Sequence, residues 1–432
     1  MTRQDGLKLA SGVLRSTRDY LRYHEAPFRG ATANRGRALR ALVRSVSNGT
    51  QELPAEMPDT LLPLNDRSAA RLWKALRDLE ALIPSDPAFE RFIADQRPDV
   101  LLVTPLVSLG GRQTEFVKAA RRLGVPSALL VFSWDNLSNK GVIHTIPDRV
   151  FVWNEVQREE ATKLHRVPAA AVVATGAPRF DSFFRMSPSL DRAAFCEMAG
   201  LDPARPLVVY LASSPNVSPN EPMFAERWFD ALRDGAEPVR SAQVVIRPHP
   251  RAKAIWLEHR RFGRGPNHPD GPADEGLALR VGKSVQDDQS LFDVLFHADA
   301  VVGLNTSAEI EAGILGKPVY TIRASDVAPG QTGSVHFQYL LESQGGFVHD
   351  AATLEQHVEQ LGDGLAGRFS AERLQTFVQA FVRPRGPDVP ASRVLAEEIV
   401  AFAADAQSGS ALGRMWTEGR RRLGTWWRSV RR

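Results

Sequence analysis

The chain holds a single cysteine, Cys196, so no internal disulfide braces it. No Cys/His set has the spacing of a structural zinc site either. No uninterrupted apolar stretch approaches the roughly 20 residues that a membrane-spanning helix needs, and no apolar secretory-signal core follows Met1. Glycine-rich phosphate fingerprints are missing as well. Gly110-Gly111-Arg112 has neither the dinucleotide nor the P-loop spacing, which disfavours NAD binding and ATP hydrolysis by those routes. These absences predict a soluble, cytoplasmic protein with no resident metal or cofactor.

What is present is ordinary in amount and uneven in layout. At 432 residues the chain exceeds what one hydrophobic core supports, so two domains are expected. The formal charge is +4, yet residues 1–46 carry ten Arg/Lys against Asp5, Asp19 and Glu25, a net +7. Residues 411–432 carry seven arginines against Glu418, a net +6, which leaves −9 for the middle. An acidic body argues against nucleic acid as a partner, because phosphate binding wants a basic face on the folded domain. Basic ends suit contact with something anionic.

Residues 7–46 read as polar helix broken near Pro27 and Gly30, and 48–66 as a proline-bearing linker. Asp66–Leu82 has helical spacing of Leu72, Leu76, Leu79 and Leu82. From Asp99 short apolar runs alternate with helical segments. Strands are expected at Val100–Thr104, Ser127–Phe132, Arg149–Trp153 and Val172–Thr175, and a second set at Leu207–Leu211, Gln243–Arg247, Leu277–Val281, Ala300–Leu304 and Pro318–Ile322. Such alternation implies βαβ units and parallel sheets. The resulting division is 1–98 helix and linker, 99–190 a first Rossmann-like domain, 191–350 a second, 351–410 C-terminal helices and 411–432 a basic tail.

Ligands of open parallel sheets bind beyond the carboxyl ends of strands, so the residues following each strand are the candidates. Arg247-Pro248-His249-Pro250 follows an apolar strand. His249 can donate to a phosphate oxygen, with Arg247 or Arg251 offsetting charge, or the prolines simply make a rigid turn. Asn305, Thr306 and Ser307 lie between a strand and a helix bearing Glu309 and Glu311. They serve equally as helix caps or as a phosphate cradle of free backbone N–H groups, and Glu311 can accept from ribose hydroxyls or stay an exposed helical acid. Ser213 and Ser214 allow close ligand approach after the first strand of the second set. In the first set, Asp135 is the candidate general base, with Trp134, Asn136 and Lys140 beside it. A self-satisfied Asx turn and a packing tryptophan explain the same residues.

With those residues named, the chain resembles the GT-B glycosyltransferase superfamily, and within it the bacterial surface-polysaccharide and CDP-glycerol glycerophosphotransferase-like group. The resemblance rests on Arg247–Pro250, on Ala298–Ala312 continuing through Leu315-Gly316-Lys317-Pro318-Val319, on Phe132–Gly141, and on Thr175–Asp181, and it spans roughly residues 98–345. It implies two Rossmann-like domains facing a cleft, with helical extensions at both ends. It implies a nucleotide-linked donor held by His249, Thr306, Ser307 and Glu311, an acceptor and base on the first domain, and no metal, helix ends and basic side chains offsetting the leaving phosphate's charge. The implied function moves a sugar or a polyol phosphate to a surface-glycan precursor. A nucleotide-sugar 2-epimerase or hydrolase on the same fold, and a non-catalytic nucleotide binder, are the alternatives. The chain departs from the pattern in showing no strand before residue 99, as though the first βα unit were absent or diverged.

In the tail, Leu412, Trp416, Leu423, Trp426, Trp427 and Val430 share one helical face away from most arginines. That suits peripheral attachment to an anionic membrane surface and would fit a lipid-linked glycan acceptor. A disordered tail or a docked helix fits the pattern as well.

Overall fold

The apolar runs become strands because they are short, rich in Val, Leu and Ile, and bounded by turn residues. In the computed structural model, which describes residues 3–47, 66–263, 274–282, 287–323, 326–331 and 333–406, they form two separate parallel sheets. The first contains β1 (Leu101–Val103), β2 (Ser127–Leu130), β3 (Arg149–Val152) and β4 (Val172–Ala174), side by side in chain order. The second contains β5 (Leu207–Leu211), β6 (Gln243–Arg247), β7 (Leu277–Leu279), β8 (Ala300–Gly303), β9 (Val319–Ile322) and β10 (Val348–Ala351). Its order is β10-β9-β8-β5-β6-β7, all parallel. This is the α/β architecture of two Rossmann-like units expected from the sequence.

The order of the second sheet fixes where a crevice can open. The chain builds outward from β5 through β6 to β7, then returns beside β5 to start β8 and builds the other way. The reversal lies between β5 and β8. β5 is buried along its whole length, and its side chains alternate between two layers, Leu207, Val209 and Leu211 facing one and Val208 and Tyr210 the other. Helices cover both layers, and several are started by local chemistry: the side chains of Asp191, Thr353 and Ser370 accept the amides of Ala194, Gln356 and Arg373, as Asn154 accepts that of Gln157 for a helix on the first sheet.

No described residue before Leu101 is in a strand. Helices Arg3–Arg22, Thr32–Val46, Asp66–Ala81 and Pro87–Gln96 occupy that region instead. Helix 66–81 forms as expected, but Leu79 and Leu82 are exposed. Ala69 and Trp73 supply its buried side, flanked by Leu72 and Leu76. The basic N-terminal residues are likewise not all turned outward. Arg15, Arg18 and Arg22 are buried, and Glu80 binds both Arg15 and Arg18. The helix 391–406 crosses back to the first sheet, where Phe402 packs with Ala128 and Phe151. Asp181 anchors that crossing, accepting from Arg383 and from the amides of Ala391 and Ser392. No helix among the described residues is long and apolar enough to cross a membrane; the tail 411–432 and the linker 48–65 lie outside the described residues.

Candidate functional site in the cleft between the sheets

The loops at the carboxyl ends of the two sheets meet around one cavity of about 810 Å³. From the second sheet, Ser214 follows β5, His249 and Arg251 follow β6, and Asn305, Thr306 and Ser307 follow β8. Ser214 and Asn305–Ser307 therefore flank the reversal between β5 and β8, the place where open sheets leave a crevice for ligand. Phe132 through Asn136, with Asn139 and Lys140, line the cavity from the first sheet.

His249 sits just past β6 with its Nδ1 accepting the amide of Arg251 at 3.1 Å. Burial first, then the charge of Arg251, hold its pKa below the ordinary value. The ring is thus neutral at pH 7, and with Nδ1 accepting, the proton lies on Nε2 as a donor. Asn305 adopts φ of 114°, a sparsely populated backbone for a residue with a side chain. The neighbouring carboxyl of Glu309 fixes it, accepting the amides of Asn305 at 3.2 Å and Thr306 at 3.3 Å. Those two amides are accordingly spent within the turn, which leaves fewer free N–H groups there than the sequence suggests. Glu309 is fully buried, and burial raises its pKa to about 8, with Glu221 adding to the rise. Glu221 repeats the device under β5, accepting from Tyr210 Oη at 3.0 Å and from the amide of Ser213 at 2.8 Å.

On the first-domain wall, Asp135 lines the cavity but is already engaged. Lys140 Nζ is 2.8 Å from Asp135 Oδ2, and Asn139 donates to the same oxygen. Burial pushes the carboxyl's pKa up, but His336, Lys140 and Ser133 outweigh it and bring the value to about 2. At neutral pH this carboxylate is ionised and paired with Lys140. Asn136 accepts the amides of Phe132 and Ser133, four and three residues before it, and so braces the loop from its far end rather than making an Asx turn. Trp134 is buried with its ring edge-on to His336, centroids 4.6 Å apart.

Three residues singled out from the sequence lie away from the cavity walls. Ser213 is fully buried behind Ser214. Arg247 turns aside to Ser290 Oγ at 2.9 Å. Glu311 is buried beside Arg179 at 3.4 Å, burial raising its pKa to about 7 despite that neighbour. Conversely, the cavity takes in the start of helix Thr32–Val46, with Arg37 and Arg40, and also His336. The sequence signal for the helix is small residues at 31–34 and 36 leading into Arg37 and Arg40, three apart. His336 had no local signal.

Among the described residues no group of three or more His, Cys, Asp or Glu is placed to hold a metal ion. No family model and no curated protein matches the chain. Among solved structures it is similar to a Listeria monocytogenes protein assigned as a UDP-N-acetylglucosamine 2-epimerase, at 16% identity and a TM-score of 0.45, covering 93% of this chain and 95% of that one. It is also similar to the UDP-GlcNAc 2-epimerase of Neisseria meningitidis bound to UDP-GlcNAc, at 12% identity and a TM-score of 0.44, covering 83% and 88%. The wall teichoic acid polymerase TagF matches at 12% identity and a TM-score of 0.39, over 60% of this chain and 59% of that one. At TM-scores below 0.5 this is a likeness of outline only, and none of these activities passes to the chain on its account.

Proposed function

We propose that the cleft is the active site of a transferase that takes a sugar or a polyol phosphate from a nucleotide-linked donor and passes it to a surface-glycan precursor. One observation supports the donor site most. The sheet reversal between β5 and β8 brings Ser214 and Asn305–Ser307 to one crevice, and His249 and Arg251 join them from the next strand. On this reading the Nε2–H of His249 and the guanidinium of Arg251 bear on the donor's phosphates and stabilise the charge that develops as the nucleotide leaves. The hydroxyls of Thr306 and Ser307 complete the phosphate contacts. Asp135 is not assigned the proton transfer, because its carboxylate is held at about 2. The acceptor enters from the first-domain wall.

A thermal-shift series with CMP, CDP, UDP, GDP and TDP tests the donor site. A nucleotide at about 100 times its dissociation constant stabilises the folded chain by about 2.7 kcal/mol. One base is expected to raise the melting temperature, and His249→Ala to abolish most of that rise. Failure of every nucleotide to shift it would refute the reading, and an unchanged shift in the variant would remove His249 from the site.

A further inference from the structure

A second feature of the cleft lies outside the donor residues. Helix Thr32–Val46 starts on the cavity wall: Ala31, Thr32, Ala33, Asn34 and Gly36 all line it. No side chain caps this helix, and its first turn contains no acidic residue. Its first backbone bond is from the amide of Arg35 to Ala31 O, so the amides of residues 32–34 stand at the open, positive end of a 15-residue helix. The small side chains of Ala31, Ala33 and Gly36 leave room for a ligand to reach the backbone.

Two arginines reinforce that end. Arg37 is steered by Asn34 and by Asn139 Oδ1 at 3.0 Å, while Arg40 makes no ion pair among the described residues, and both line the cavity. An independent observation comes from the segment packed against the start of that helix, where Gly333 abuts Gly30 and Val335 joins the cluster of Ala31 and Leu39. His336 is 4% exposed, lines the same cavity, and has its Nδ1 buried with no hydrogen-bond partner. A buried polar nitrogen without a partner costs free energy unless a ligand supplies one. The one carboxylate on the cavity wall among the described residues, Asp135, is already neutralised by Lys140.

We infer that helix Thr32–Val46, with Arg37, Arg40 and His336, forms a second anion subsite that binds a phosphate ester, the phosphate of the acceptor. Its description as an acceptor subsite rests on the donor reading above; its capacity to bind phosphate does not. The guanidinium groups and the first-turn amides share the phosphate's oxygens, and the unpartnered Nδ1 of His336 lies beside them on the same lip of the cavity. The acceptor is thus a phosphorylated molecule, and two anions occupy the cleft together during transfer.

The test is calorimetric titration of the full chain with glycerol 3-phosphate and with hexyl phosphate, each with and without the nucleotide that gives the largest thermal shift. Both esters are expected to bind in the presence of saturating nucleotide. The double variant Arg37→Gln/Arg40→Gln should weaken ester binding at least about tenfold, as expected for lost charge-assisted bonds, with nucleotide affinity unchanged within about twofold. Tighter binding of hexyl phosphate identifies a lipid-borne phosphate, and tighter binding of glycerol 3-phosphate a water-soluble one; either result supports the subsite. Displacement of the esters by nucleotide, or unchanged ester affinity in a folded double variant, overturns it. If no nucleotide binds, the donor reading fails while the ester titrations still decide the subsite.

Discussion

Glu309 allows a quantitative test of how the donor turn is held. Its carboxyl accepts two amides of the turn, and burial raises its pKa from 4.5 to about 8. With the folded value above the unfolded one, the native state binds the extra proton. The stabilisation is complete below pH 4.5 and drains away as pH rises toward about 8, with no further change beyond. A rise of that size, at about 1.4 kcal/mol per pH unit, corresponds to roughly 5 kcal/mol across the window. This is an upper bound, because Glu221 contributes to the rise and also carries a pKa of about 8. Glu309→Gln keeps the shape and an acceptor for the turn amides but cannot ionise. Urea denaturation of both proteins at pH 5, 6, 7, 8 and 9 should show the wild type losing stability faster, so that the variant gains on it by about 2 kcal/mol or more between pH 5 and 9. Parallel curves would refute the reasoning: Glu309 would then be ionised in the native protein, and the turn would be organised around a charge rather than a neutral acid.

Other expectations rest on the same geometry. Arg22→Ala should lower stability by about 3 kcal/mol or more, since it leaves the carbonyls of Leu137, Lys140 and Gly141 without that donor in a buried setting. Arg122→Ala, exposed on a helix, should change it by less than about 0.5 kcal/mol, and calorimetric melting compares the two. Gly333→Ala should destabilise the chain and weaken phosphate-ester binding together, because Gly333 has φ of +72° and an added Cβ would strike the backbone of Gly30 just before helix 32–46. Asp135→Asn should tighten phosphate-ester binding by removing a carboxylate from the cleft wall. It should leave any transfer rate at neutral pH within about tenfold, whereas loss of a general base costs about 100-fold or more. A 100-fold fall in rate would restore Asp135 as the base.

The strands could be read from the sequence because strands buried on both faces leave continuous apolar runs, as in Leu207–Leu211 and Gln243–Arg247. β10 escaped because it is an edge strand, Val-His-Asp-Ala, whose two central residues are only half-buried. Helices Pro87–Gln96 and Arg192–Ala199 are short segments in stretches dominated by breakers and charges, where no periodicity stands out. Strand-end logic led to His249, Thr306, Ser307 and Ser214, all on the cavity wall. It failed one residue away: the pleat sends Ser213 inward and Arg247 toward Ser290, a distinction that requires the register of each strand. Arg37, Arg40 and His336 arrive from segments roughly 300 residues apart, and nothing local marks that meeting.

The N-terminal helices also answer why a first sheet of only four strands can present an ordered wall to the cleft. Loops after β1 and β2 carry amides and carbonyls that need partners once water is excluded. Helix Arg3–Arg22 supplies them from one charged face. Asp19 accepts the amides of Gly110 and Val142, each at 2.8 Å, with His144 Nε2 3.1 Å away. Arg15 donates to Gly111 O, and Arg22 to three carbonyls of residues 137–141. Arg15, Asp19 and Arg22 recur at helical spacing, a pattern that a sequence reading assigns to solvent because charges so placed usually face it. Here they face loop backbone, and Tyr20 and Tyr23 tie the same helix to Leu39 and Leu42 of helix Thr32–Val46 in one apolar cluster. The element that bears Arg37 and Arg40 and the element that fixes the Asp135–Lys140 loop are thus a single packed pair. Any ligand that engages those arginines bears on a unit already bonded to the loop that carries Asp135 and Lys140.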